Sequence, residues 1–402
     1  MNSPDSPIPL EHSRSELPPL RLSIHDSIHL VRREDWSAVT TDAVSYLHYD
    51  HLCTLEDAMV GSMEFRYVVF HCQEFKPIGI AYFQVLDVED NGSDYGPGVR
   101  RLGKAIGSRI VQELKVRSLV CGNAFHSGAH GIHFIEAVPL DHQVLAVETA
   151  MHELRSDERL AIPPAVLIFK EYRNENRGAA ILETKNYHPL AMDVNMVMAL
   201  PLDWKSLEDH FKALTSKART RSNTIMERSQ GLVIKDLSAE EITAHLSTMQ
   251  RLFDQVLERS PFIFGRLNVA VYPKWKAQWG EAMFFHGFFL NGEMVGFNSA
   301  FVLGDMLDAH FVGIDYALNK QHMIYQRMLF DLLDHAFAKE LRMINFGRAA
   351  EQAKSSIGAK PVDMLWYVKH RNALANTIVG PFLRRVKPGE FELRSPFKKT
   401  SA

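Results

Sequence analysis

Met343-Ile-Asn-Phe-Gly-Arg-Ala-Ala-Glu-Gln-Ala-Lys-Ser-Ser-Ile-Gly358 is the stretch that decides the reading of this chain. Its first residues, with Met343, Ile344 and Phe346, form a short apolar run of the kind a buried strand needs. Gly347 ends that run, because it accepts backbone angles that side chains resist. Arg348 and Lys354 follow among the helix-forming residues Ala, Glu and Gln. Gly358 closes the segment and Pro361 prevents its continuation. A cation just beyond the end of a buried strand is well placed to meet an anionic group. Gly347, Arg348 and Lys354 are therefore read as substrate- or donor-binding residues.

Working outward, the second half begins with a strand at 193–200 and a helix carrying Leu207, Phe211, Leu214, Ala218 and Ile225 on one face. Ser238-Ala-Glu-Glu241 is a capping box opening a further helix. Asn291-Gly292 marks a hairpin between two apolar runs, and Asp308 to Ile314 adds a third strand. Ile324, Met328, Leu332 and Phe337 line a helix that leads into the strand ending at Gly347. In the first half, 66–71 and 77–86 are strands rich in β-branched and aromatic residues. Residues 99–115 are expected to be a helix, 117–122 a strand ending in glycine, 141–154 a helix and 165–169 a strand. Both halves thus run from antiparallel strands through a helix to a short strand. Leu119-Val-Cys-Gly122 echoes Ile344-Asn-Phe-Gly347.

The residues Phe346-Gly347-Arg348, Lys354, Gly358 and Pro361, with Trp366-Tyr-Val-Lys-His-Arg-Asn372, resemble the closing segment of the FemAB-like and BioF2-like branch of the GNAT (Gcn5-related N-acetyltransferase) superfamily. The resemblance reaches back to about Pro201. It implies an α+β fold of two tandem GNAT-like domains, each a mostly antiparallel sheet flanked by helices. The expected division is a disordered leader over 1–20, an N-terminal domain over 21–189, a C-terminal domain over 190–380 and a basic tail over 381–402. It further implies an acyltransferase that moves an acyl group from an activated donor to an amine. Acyl-CoA is the expected co-substrate, with no tightly bound cofactor.

In such a fold the helix after the splayed strand aims its N-terminus at a pyrophosphate. The corresponding segment here, Gly313 to Tyr325, lacks the glycine-rich Gln/Arg-x-x-Gly-x-Gly/Ala loop of acetyl-CoA-binding members. Asn319 and Lys320, with Gln321, are left to meet a phosphate through side chains. Asp315 and Tyr325 flank the same helix start and are the candidates for proton transfer. FemAB-like relatives use aminoacyl-tRNA and also dispense with that loop. Transfer of an aminoacyl group to a cell-envelope precursor is therefore an alternative, and a non-catalytic ligand-binding protein of the same fold is another.

In the first half, Gly122 and Asn123 follow a strand end and are assigned to the substrate site. His126, His130 and His133 come next at spacings of four and three. Gly128 and Gly131 break the segment into a loop, so no metal site is expected. Composition narrows the classes further. The 402 residues are 46% hydrophobic and 23% charged, as in a soluble two-domain protein. The net charge of −3 hides an uneven distribution. From Leu341 onward there are twelve Lys and Arg against four acids, which favours phosphate or carboxylate partners. The basic helix with Lys212, Lys217, Arg219 and Arg221 lacks interleaved aromatics and is read as a solvated face, not as a DNA contact. Three scattered cysteines argue against a disulfide scaffold. No apolar run reaches transmembrane length. A cytoplasmic protein acting on a small molecule or a cell-envelope precursor is expected.

Overall fold

The computed structural model describes residues 20–40, 45–90, 116–135, 138–173, 177–191, 193–260, 262–263, 265–386, 389 and 391–398. The expected leader and the 99–115 helix lie outside these residues. The first half supplies β1 (Arg21–His25), α1 (Arg33–Thr40), α2 (Tyr49–Met59), β2 (Glu64–His71), β3 (Pro77–Asp90), β4 (Val116–Cys121) and β5 (Ile132–Phe134). It continues with α3 (Leu140–Leu154), β6 (Val166–Arg173) and β7 (His188–Leu190). The second half opens with β8 (Val194–Ala199), α4 (Leu207–Ala213), α5 (Ser216–Arg228), β9 (Leu232–Asp236), α6 (Ala239–Ala244) and α7 (Leu246–Leu257). After β10 (Phe262–Ile263) and α8 (Val271–Trp279) come β11 (Met283–Leu290), β12 (Glu293–Leu303) and β13 (Met306–Ile314). The chain closes with α9 (Tyr316–His322), α10 (Ile324–Ala338), β14 (Met343–Asn345), α11 (Glu351–Ser355), β15 (Lys360–His370) and α12 (Ala373–Leu383).

The strands form one sheet in the order β1-β2-β3-β4-β6-β15-β8-β14-β13-β12-β11-β9. Among the described pairings only β4–β6 and β13–β14 are parallel. Each half therefore repeats one plan: antiparallel strands, a helix, then a strand parallel to the last of them. The repeat is aligned differently from the local sequence echo. β4, which contains Leu119, is antiparallel to β3 and occupies the place of β13. It is β6 that stands where β14 does. The echo of short apolar runs before glycine misplaces this equivalence because such runs suit any buried strand.

β15 belongs to both halves. Lys360 to Asp363 pair with β8, and Met364 to His370 pair with β6. The largest apolar cluster also crosses over. Trp36, Leu52, Tyr67 and Tyr82 of the first half pack in one core with Leu252, Trp275, Phe297 and Phe301 of the second.

Local signals are realised where they are self-contained. Asn291 (φ 52°) and Gly292 (φ 88°) make the tight turn between β11 and β12. Both halves of the Ser238–Glu241 capping box form. The helix expected across 207–225 is instead broken at Leu214. The Thr215 N–H donates to the carbonyl of Pro396 (2.8 Å), and Leu214 bridges Phe397. The returning C-terminal segment thus takes a backbone group that a continuous helix would use, and Thr215 caps the next helix.

A strand hydrogen-bonded to both halves couples their unfolding. Calorimetry should show one transition. Trp366→Ala, at a buried position on β15, should lower stability by about 3–5 kcal/mol and move that transition as a whole. Two separable transitions would show that the halves hold independently.

Candidate active site

β13 and β14 run side by side for three residue pairs, the last being Asp308 opposite Asn345. Beyond it they part. The Phe346 N–H turns to the Met196 carbonyl and the Met196 N–H to that of Gly347, while β13 runs on. Just past the fork β13 bulges: between Asn298↔Val312 and Ala300↔Ala309, Ser299 alone faces His310 and Phe311. A bulge re-aims side chains and frees ladder groups. The first half has a larger interruption at the same place. β4 stops at Cys121, residues 122–131 loop out, and β5 rejoins β3 at Ile132.

That loop reaches into the second half beside the fork. The His126 ring stacks on Tyr46 (centroids 3.6 Å) and on His310 (4.6 Å), and its Nε2 lies 3.1 Å from that of His51. The Tyr272 hydroxyl lies 3.0 Å from His310 Nδ1. The Tyr46 hydroxyl donates to Asp308 Oδ2 (2.5 Å), and Asn345 Nδ2 donates to Asp308 Oδ1 (2.7 Å). Asn345 Oδ1 in turn accepts from the N–H of Gly347, whose φ of 69° suits glycine.

The other wall is ionic. Lys170 and Glu171, both fully buried at the end of β6, pair at 2.8 Å. Lys170 Nζ also donates to the His126 carbonyl (2.8 Å), and Glu171 Oε2 accepts from the Gly128 N–H (2.5 Å). Arg348 of the second half completes the cluster, with Nη1 3.2 Å from Glu171 Oε1.

Burial sets the proton affinities here. It raises the Asp308 carboxyl to about 7 and lowers the Lys170 ammonium to about 8. Burial pushes Glu171 up as well, but Lys170 and Arg348 outweigh it and hold it below its ordinary value. Burial and then neighbouring histidines drive His51 and His126 well below 6.5; burial and Lys170 take His130 to about 4, and burial takes His310 to about 3.

The fold brings five of the sequence-assigned residues together here. Gly122 lies against the Lys170 side chain, and an added Cβ would sit 3.0 Å from it. Asn123 is buried and its Oδ1 accepts from the Phe125 N–H (3.0 Å). Gly347 faces Ser127, and Arg348 pairs with Glu171. Lys354 is buried, with Nζ donating to the carbonyls of Gly347 (3.2 Å) and Arg348 (2.6 Å); burial lowers it to about 7. It fixes the turn that carries Arg348.

Asp315, Asn319, Lys320 and Tyr325 form a second group, at the far end of β13 and about 20 Å along the strand from Asp308. Asp315 caps α9 through the Ala317 N–H (3.0 Å) and lies 3.6 Å from Arg251. Asn319 Oδ1 accepts from the Tyr325 N–H (2.9 Å). Burial, then Tyr316 and Glu351, raise the Tyr325 hydroxyl. Lys320 is exposed and its carbonyl accepts from Arg228.

Sequence reasoning passed over Tyr46, His51, Lys170, Glu171, Asp308 and His310. The one local signal was the Lys-Glu pair at the end of an apolar strand, where charge is costly without partners. Of the three loop histidines, His126 joins the interface, His130 turns to the Ser127 carbonyl (2.9 Å) and His133 lies in β5. No three His, Cys, Asp or Glu among the described residues are arranged to hold a metal ion.

Residues 219–355 match the family model of an acetyltransferase (GNAT) domain. That stretch, from α5 to α11, is the part of the chain that resembles a GNAT domain in sequence. Its whole fold is similar to that of FemX, at 10% identity and a TM-score of 0.51, over 87% of this chain and 98% of that one. It is also similar to the C-terminal domain of a putative lysylphosphatidylglycerol synthetase from Agrobacterium fabrum, at 9% identity and a TM-score of 0.50, over 86% and 93%. A tandem GNAT protein from the clavulanic acid biosynthesis pathway superposes with a TM-score of 0.48 at 9% identity, over 88% and 99%. No curated protein matches by sequence. The two GNAT-like units stand in tandem, with the fork of the second facing the loop of the first.

The buried histidines make the fold acid-labile. Each binds a proton less readily when folded, so its contribution is complete above 6.5 and is lost as pH falls below that value. Asp308 acts oppositely: its contribution is complete below 3.8 and is lost as pH rises through about 7, which offsets one histidine. Between pH 6 and 5 the unfolded chain therefore binds more protons than the folded one, and stability slopes downward as pH falls. Denaturant titrations across that range should show this slope; a flat profile would contradict the burial.

Arg348→Ala removes one of the cations around Glu171 and should cost about 1–3 kcal/mol. Glu171→Gln strands Lys170 and should cost about 3–5 kcal/mol. Equal midpoints for both variants and the parent would show that this network bears no load.

Proposed function

We propose that the protein is an acyltransferase that moves an acyl group from an activated donor to an amine, at the fork between β13 and β14. The observation that carries this reading is Asp308. It is a buried carboxyl with a proton affinity near neutrality, held by Tyr46 and Asn345 at the last pair of the fork. Perturbed groups of this kind gather at functional sites. In the proposed reaction the amine nitrogen attacks the acyl carbonyl and forms the C–N bond. Backbone N–H groups at the His310–Phe311 bulge meet the charge that develops on the carbonyl oxygen. The C–O or C–S bond to the leaving group breaks. The proton lost by the nitrogen passes to the Asp308 carboxylate and on through the Tyr46 hydroxyl to the leaving atom.

Acyl-CoA is the donor that the domain type implies. The start of α10 does not offer it a free amide cradle, because Asn319 already takes the Tyr325 N–H. Exposed Lys320 is the group left there for a phosphate. The same observation favours a second reading, in which the donor is an aminoacyl ester with no pyrophosphate to hold. The resemblance to FemX and to a putative lysylphosphatidylglycerol synthetase domain supports that reading at the level of the fold.

The test sets acyl-CoAs and charged tRNA separately against a panel of amine acceptors, reading product formation and thermal stabilisation. One donor class should be consumed, with kcat/KM rising with pH through about 7. Asp308→Asn keeps the shape and the Asn345 contact. It should lower turnover by about a hundredfold or more. Asp308→Asn with full activity would remove Asp308 from the chemistry, and neither donor being bound or consumed would leave a ligand-binding protein.

A further inference from the structure

The C-terminal helix α12 is built inside out. Its two buried residues are Asn376 and Gly380, one polar and one bare: Asn376 Nδ2 donates to the Asn186 carbonyl (2.9 Å) and Asn376 Oδ1 accepts from the His370 N–H (2.8 Å). Gly380 sits so close to His188 that an added Cβ would lie 2.3 Å from the ring. Its outer face is apolar. Leu374, Ile378 and Phe382 recur every four residues, so they share one side of the helix. They are 72%, 57% and 36% exposed. A helix docked only for the stability of this fold would bury that stripe.

Beside the stripe lies a cavity of about 680 Å3. Arg155, His188, Lys369, His370, Arg371 and Arg384 line it together with the polar flank of α12, and no acid does. Glu148 reaches Lys369 (3.3 Å) and Glu183 reaches Arg384 (3.6 Å) from outside. Arg155 and Arg371 have no ion pair among the described residues. No Phe, Tyr or Trp lines the cavity, so it offers phosphate-binding charge with only the small rings of His188 and His370 for a nucleobase to meet. Pro381 and Thr377 join the cavity wall to the exposed side of the helix.

We propose that α12 and this cavity form a docking surface for an anionic phospholipid bilayer, with Leu374, Ile378 and Phe382 entering the headgroup region and the cationic cavity holding a phosphate headgroup. An exposed apolar stripe with cations beside it is the arrangement that binds such interfaces, and it uses both features at once. A free anion would use only the cavity, and an RNA would leave the exposed aliphatic side chains of Leu374 and Ile378 unused. The proposal is independent of the acyl-transfer chemistry. No helix among the described residues is long and apolar enough to cross a membrane, so the contact is peripheral.

The full-length protein is sedimented with vesicles of phosphatidylcholine alone and of phosphatidylcholine mixed with phosphatidylglycerol. Binding is expected to the mixed vesicles only. Ile378→Asp should weaken it by at least about tenfold, and Arg371→Glu by roughly fivefold or more. Both positions are exposed, so the thermal midpoints should stay near that of the parent. Inorganic phosphate at matched ionic strength should not displace the protein. Absence of vesicle binding, or binding unaffected by Ile378→Asp, would overturn the proposal. Displacement by inorganic phosphate would assign the cavity to a free anion instead. A dimer in gel filtration that Ile378→Asp dissolves would show that a second copy covers the stripe, and preferential RNA binding lost in Arg371→Glu would give the cavity to a nucleic acid.

Discussion

Glu171 is a carboxylate with no access to water, and the joining of the two halves follows from how its charge is met. An isolated buried carboxylate is costly by several kcal/mol. Here Lys170 beside it, the Gly128 N–H from the loop and Arg348 from the second half surround it. Each partner comes from a different part of the chain. The loop cannot leave without exposing a buried pair, and the second half cannot shift without withdrawing Arg348. Lys354 serves the same network one step removed, by bonding the carbonyls of Gly347 and Arg348. β15 adds a backbone constraint in the same place, since Trp366 lies opposite the Lys170–Glu171 bulge in the ladder.

The two halves are copies of one plan that diverge where chemistry is expected. In the second half β13 is interrupted by one extra residue, which leaves a narrow fork and redirects His310. In the first half the same break is enlarged into residues 122–131. The enlarged loop places His126 between Tyr46 of its own half and His310 of the other. The buried cluster beside the fork is therefore composite: the second half's sheet supplies one side of it and the first half's loop the other. A single GNAT-like unit would leave Asp308 open to water, where its proton affinity would lie in the ordinary carboxylate range.

The far end of β13 serves another purpose. Asn319 covers the Tyr325 N–H in the first turn of α10, and Arg228 covers the carbonyls of Lys320 and Gln321. Groups on both sides of the α9–α10 junction are thus satisfied from within the protein. A helix start closed in this way has less to offer a pyrophosphate than one opened by glycine, which makes the identity of the leaving group a question about this junction as much as about the fork.

Much of this architecture was written locally. The Asn291-Gly292 turn, the Ser238–Glu241 box and the apolar spacing of 324–337 each depend on neighbours within a few residues, so the sequence alone determined them. The strand ending at Gly347 and the tandem α+β plan were legible for the same reason, helped by the resemblance of 346–372 to a known family. What only the tertiary structure decided depends on partners far away in the chain. Asp308 and Tyr46 are 262 residues apart and Arg348 meets Glu171 across the two halves. The break at Leu214 needs Pro396 and Phe397. Exposure is of the same kind. Arg348 and Lys354 read alike as cations, yet packing leaves one ammonium wrapped in carbonyls and the other side chain paired across an interface. Periodicity alone would bury Leu374, Ile378 and Phe382, but Asn376 and Gly380 fit the sheet more closely and turn that stripe outward. Local sequence fixes which backbone forms are cheap; the balance of desolvation and long-range pairing fixes which groups end up together.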